Sequence, residues 1–109
     1  MPHHIRPLSF KPHRLHGLSQ RLIDSHYENN YGGAVRRLNA IDRQLAALDP
    51  ATASNFLLNG LKREQLIAAN SAVLHEIYFD GFGGSGEPAG ELAAALDRDF
   101  GSMARWRAE

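Results

Sequence analysis

Between positions 23 and 48 the apolar side chains Ile23, Tyr27, Ala34, Leu38, Ile41, Leu45 and Leu48 recur at intervals of three, four or seven residues. At ~100° per residue such a set lines one side of a helix, and no stretch of the chain alternates convincingly with the period of two that a half-buried strand shows. The pattern restricts the chain to helix packed on helix, an all-α fold. Ser19 offers an N-cap hydroxyl and Asp49-Pro50 a stop, so a long helix is predicted over about residues 19–48. His26 and Asn30 stand beside the apolar stripe, while Asp24, Glu28, Arg36, Asp42 and Arg43 fall mostly on the other side. Gly32-Gly33 interrupts it at a cost of about 1 kcal/mol per glycine relative to alanine, which a bend or a close contact would explain.

A second helix is predicted over about residues 61–79, after an irregular or short helical connection at 51–60. Ala68, Ala69, Ser71 and Ala72 would let another backbone approach closely, with Leu66, Val73, Leu74 and Ile77 supplying bulk. Helices joined by a short connection lie antiparallel. Residues 19–80 then form a hairpin domain in which His26, early in one helix, can meet His75, late in the other. An imidazole facing such a core needs partners, since an unpaired buried polar group costs about 1–3 kcal/mol. Two facing histidines can share one partner, and a metal ion is the commonest. The competing reading of each is an ordinary, satisfied core histidine.

Residues 1–18 carry Pro2, Pro7 and Pro12 and four of the six histidines, and read as an extended arm across the rest of the protein, its histidines solvated. The Gly81-Phe-Gly-Gly-Ser-Gly86 stretch is a flexible break, and residues 81–87 form a Gly-rich linker. Pro88 suits the first turn of a short helix through Phe100, with Leu92, Ala95, Leu96 and Phe100 on one side. Ser102 caps a last short helix bearing Trp106.

Twelve basic residues balance twelve acidic ones, which argues against a nucleic-acid or anionic-membrane footprint. No apolar run is long enough to span a bilayer, the first residues lack the apolar core of a signal peptide, and a cytoplasmic protein is expected. Cysteine is absent, so neither disulfide nor thiolate chemistry is available.

Three phrases, in order, resemble the iron/manganese superoxide dismutase family. Leu-His-Gly-Leu-Ser19, followed by a helix with His26-Tyr27, resembles its opening helix. His75-Glu-Ile-Tyr78-Phe79 resembles its second ligand phrase. Gly86-Glu-Pro-Ala-Gly-Glu-Leu and Asp-Phe100-Gly-Ser102-Met-Ala-Arg-Trp106 are similar to the start of its second, α/β domain, so residues 88–109 would begin that domain and leave it incomplete.

The resemblance implies that His26 and His75 are metal ligands and that Tyr27, Asn30, Ser71 and Phe79 surround them. It implies iron or manganese as cofactor, superoxide as substrate, dioxygen and hydrogen peroxide as products, and a homodimer. The family's remaining aspartate and histidine ligands come from a second half, so the chain is expected to be a fragment or a shortened relative, inactive alone. Asn30 stands where the family commonly has a histidine, Ala34 where it has a tyrosine, and Ser71 where iron-type members often have a glutamine. The hydroxyls of Tyr27 and Tyr31 are expected to turn away from the metal, and Asp24, Glu28 and Glu76 to be solvated. The alternative is a non-catalytic helical dimerisation or partner-binding module derived from that fold. Either way, exposed apolar surface is expected around Leu92, Leu96, Phe100 and Trp106.

Overall fold

The computed structural model describes all residues, Met1–Glu109, and is built of helices and connecting segments without a strand. Ser19 caps the first rod as its sequence suggests, its Oγ accepting the Leu22 N–H at 3.1 Å. The rod runs through α1 (Gln20–Ser25), a π-helical turn (His26–Tyr31) and α2 (Gly32–Ala47) with helical backbone angles at both joints. The π turn closes with a bond from the Gly32 N–H to the Tyr27 carbonyl, five residues back. It absorbs an extra residue, so Ile23, Tyr27, Tyr31 and Val35, each four apart, stay on the side facing the core. Tyr31 and Val35 are therefore buried although the simple helical stripe omits both. Gly32 follows at once; a Cβ there would lie 3.0 Å from the Arg36 guanidinium and 3.4 Å from Ile5, which is the close contact its glycine allows.

After a turn in which Asp49 Oδ1 accepts the Ala51 N–H, the second rod, α3, spans Asn55–Asp80. It starts earlier than the residues at 51–60 suggest. Ser54 caps it, accepting the Leu57 N–H at 3.2 Å, and Gly60 is carried inside the helix. The first turn presents Phe56 and Leu57 to solvent, so no inward stripe announced it.

The α2 and α3 helices pack as an antiparallel hairpin. One part of the core joins Leu38, Ile41 and Ala68, flanked by Leu45, Leu61 and Ala69. The other joins Ile23, Tyr31, Ala34, Val35, Ala72 and Phe79. Because α3 turns its small residues Ala68 and Ala72 inward, its bulky ones point out: Leu66, Val73, Leu74 and Ile77 are exposed rather than filling the core.

The arm crosses both rods, with a short 3₁₀ turn at Pro12–Arg14. Asn39 clamps the backbone of His3, accepting its N–H at 2.7 Å and donating to its carbonyl at 2.9 Å. The His3 ring is not free either, lying 3.2 Å from Asp42. Phe10 meets Phe82 edge-on at 5.7 Å and passes so close to Gly83 that a Cβ there would lie 2.8 Å from its own. Beyond the linker, α4 (Gly90–Phe100) and α5 (Met103–Ala108) pack on each other and not on the hairpin helices. Pro88 precedes the α4 cap residue, Ala89, instead of occupying the first turn. Gly101, at φ 86°, ends α4, and Ser102 caps α5. Of the surface expected on these helices, Leu92 and Trp106 are exposed, whereas Leu96 is buried.

Candidate metal centre

His26 opens the π turn and His75 lies near the end of α3, and their Nε2 atoms stand 3.0 Å apart. The His75 ring is fixed from its own helix: Nδ1 lies 2.6 Å from the Ser71 carbonyl and 3.3 Å from Ser71 Oγ. A carbonyl only accepts, so Nδ1 carries the proton and Nε2 is left with its lone pair, the tautomer a metal ligand needs. The His26 imidazole has its pKa pushed down, first by burial and then by His75, which favours the neutral, ligating form. Nitrogens 3.0 Å apart match adjacent ligands of one ion held at bonds of about 2.1 Å.

Phe79 is buried behind the pair, its ring 5.2 Å from that of His26 and 6.1 Å from that of His75. Tyr78 flanks His26 at 5.3 Å, and the pair opens to solvent between Tyr78 and Leu74. No three His, Cys, Asp or Glu side chains come together anywhere in the chain. The pair thus fits as part of a metal shell and needs further donors to complete one.

A polar circuit surrounds residue 6 at the level of His75. The Tyr31 hydroxyl accepts the Arg6 backbone N–H at 2.9 Å and donates to Glu76 Oε1 at 2.8 Å. Glu76 Oε2 lies 3.3 Å from the Arg6 guanidinium, which also reaches Asp80 at 3.6 Å. The Tyr27 hydroxyl donates to the Arg6 carbonyl at 2.7 Å. Burial raises the pKa of the Tyr31 phenol; the Arg6 N–H opposes this, and Glu76 adds to it. The phenol accordingly stays a donor.

Of the residues singled out in the sequence, the structure brings His26, His75, Ser71 and Phe79 together. Tyr27 touches this group through Phe79, with ring centroids 5.8 Å apart, and turns its hydroxyl to the arm. Asn30 is exposed. Glu76 is not simply solvated, being held by Tyr31 and Arg6. The joining of Arg6 with Tyr31 and Glu76 was not visible in the sequence, because the arm that carries Arg6 is remote in sequence from α3.

The fold and the site together define an antiparallel helical hairpin whose two rods each offer one histidine to a shared pair. No protein-family model matches the chain. Over all 109 residues it is 61% identical to the superoxide dismutase [Fe] of Cupriavidus metallidurans, covering 55% of that protein. It is 35% identical to the superoxide dismutase [Fe] of Aquifex aeolicus, over 93% of this chain and 51% of that one. It is 30% identical to the mitochondrial superoxide dismutase [Mn] of Branchiostoma floridae, over 79% of this chain and 60% of that protein. The chain belongs to the iron/manganese superoxide dismutase family. It spans about half the length of the curated relatives it matches. No helix is long and apolar enough to cross a membrane.

Proposed function

We propose that this chain supplies the two-histidine part of a redox-active iron or manganese centre that converts superoxide to dioxygen and hydrogen peroxide in a homodimeric, cytoplasmic protein. The observation that carries the reading is the convergence of two Nε2 atoms at 3.0 Å, one of them committed to the ligating tautomer by the Ser71 carbonyl. Its support from relatives is their names, superoxide dismutases with iron or manganese. When bound, the metal supplies the change of oxidation state by which one superoxide loses an electron and the next gains one with two protons.

The chain's own residues prepare for this. His26 and His75 hold the ion as neutral donors, and Ser71 prevents the His75 ring from turning. Phe79 walls off the inner side from water, with Tyr27 behind it. Asn30 and Ala34 supply no imidazole or phenol, so within this chain proton delivery falls to other groups. Imidazole nitrogen suits both metals, and the choice between them belongs to donors beyond these two.

Metal analysis and a dismutation assay on the protein from its full reading frame, beside His26→Ala, test the reading. Iron or manganese with activity in the parent, and loss of both in the variant, are expected; equal metal and activity would overturn it. The exposed apolar face of α3 favours one second reading, a non-catalytic dimerisation module, which predicts dimers that persist, without redox metal, when both histidines are replaced.

A further inference from the structure

The polar circuit around Arg6 adjoins His75 in sequence through Glu76, and its relation to the histidine pair follows from how few polar bonds join the two rods. Apart from the histidines themselves, two side-chain hydrogen bonds cross directly between the first rod and α3. Gln65 to Asp42, at 2.7 Å, lies toward the turn; Tyr31 to Glu76, at 2.8 Å, lies beside the site. Between them the contact is made by Ala68 and Ala72, whose small, smooth surfaces permit close approach and set rotation only weakly. His75 cannot correct an error in that rotation by pivoting, because Nδ1 is tied to its own helix. The position of its Nε2 is therefore the position of α3.

We propose that Arg6, Tyr31 and Glu76 are positioning residues for the histidine pair, a lock by which the N-terminal arm fixes the rotation of α3 and brings the two Nε2 atoms into chelating register. Glu76 is the neighbour of His75, so any turn of α3 that carries Nε2 away from His26 also pulls Glu76 from the Tyr31 hydroxyl. The other carboxylate oxygen is held by Arg6, and the two tyrosines hold the backbone of Arg6 by both its N–H and its carbonyl. One arm residue thus contacts both rods. The proposal rests on the reading of His26 and His75 as metal ligands.

Copper(II) tests it, because this ion stands highest among the divalent first-row metals for imidazole nitrogen and reports the number of bound imidazoles in its electron paramagnetic resonance spectrum. The full chain is titrated with the metal alone, as parent, His26→Ala, Tyr31→Phe, Glu76→Ala, Glu76→Gln, Arg6→Ala and Asn39→Ala, with helicity followed by circular dichroism. The parent is expected to bind through two imidazoles. Tyr31→Phe and Glu76→Ala are expected to weaken binding about tenfold or more and to give one-imidazole spectra. Glu76→Gln, which keeps an acceptor for the Tyr31 hydroxyl, recovers part of the loss. Asn39→Ala frees the arm at its far clamp and leaves the spectrum unchanged, separating the lock from a general effect of arm attachment. Arg6→Ala, at an exposed side chain, carries the test if Tyr31→Phe loses helicity. Two-imidazole binding of parental affinity in Tyr31→Phe, Glu76→Ala and Arg6→Ala would overturn the lock while leaving the ligand reading intact. A parent that binds no better than His26→Ala would overturn both.

Discussion

Gly83 shows how much a single backbone position can carry. Its φ of 86° lies in the left-handed region, and the Cβ of Phe10 fills the space that a side chain would need. Gly83→Ala should destabilise the chain by at least about 1–2 kcal/mol from the backbone alone, with the Phe10 overlap added. Gly60, inside α3 with open space around it, should show the opposite sign, Gly60→Ala stabilising by about 0.5–1 kcal/mol. Urea midpoints for the two variants would check both signs. The buried Tyr31 phenol makes a third prediction. Its pKa is raised in the folded chain, so near pH 10 the unfolded chain loses this proton first and binds fewer protons than the folded one. Stability contributed by the phenol is present below about pH 10 and is lost as pH rises through the folded value. Tyr31→Phe should flatten that alkaline decline while lowering stability at neutral pH by about 1–2 kcal/mol, from the lost bond to Glu76. An equal alkaline slope in parent and variant would remove Tyr31 as its source.

At the scale of elements, the two rods were legible because burial on one side leaves a helical period, and His26 and His75 were legible because they interrupt it with groups that need partners. The π turn was not. Bonding five residues back has no residue signature, and its effect, the burial of Tyr31 and Val35, is a change of phase that a straight 3.6-residue count misses. The start of α3 was hidden for another reason: Phe56 and Leu57 face solvent, leaving Ser54 as the main signal. Glu76 was misjudged because its partners, Tyr31 on the first rod and Arg6 on the arm, lie 45 and 70 residues away in sequence. The π turn gives its own prediction. Removing one exposed residue from it, Asn29, should restore an α-helical count and leave the preceding residues in phase with α2, because the turn absorbs one extra residue. Helicity should then survive by circular dichroism with His26 still facing His75, so copper(II) should still report two imidazoles; a one-imidazole spectrum would mean that the turn does not hold the phase of the rod.

At the scale of the whole molecule, the chain is too open to be satisfied by its own core. Its radius of gyration is 19.6 Å, where a compact domain of this length has about 13 Å. Eleven of 109 residues are buried, while Leu66, Leu74 and Ile77 on α3 are each more than 60% exposed. Leu92 and Trp106 on α4 and α5 add to this uncovered surface. Covering a large apolar side chain fully yields about 1.5–3 kcal/mol, so even partial burial of the α3 residues against a second chain is a substantial drive to associate. Both functional readings include such association, and they differ in whether the histidines matter to it. Sedimentation of the chain across a range of concentrations should show dimers or larger species, and Leu66→Lys with Ile77→Lys should shift the population toward monomer without loss of helicity. A monomer at all concentrations, with one sharp unfolding transition, would mean that this surface is stable in water and that the α3 face is not an interface.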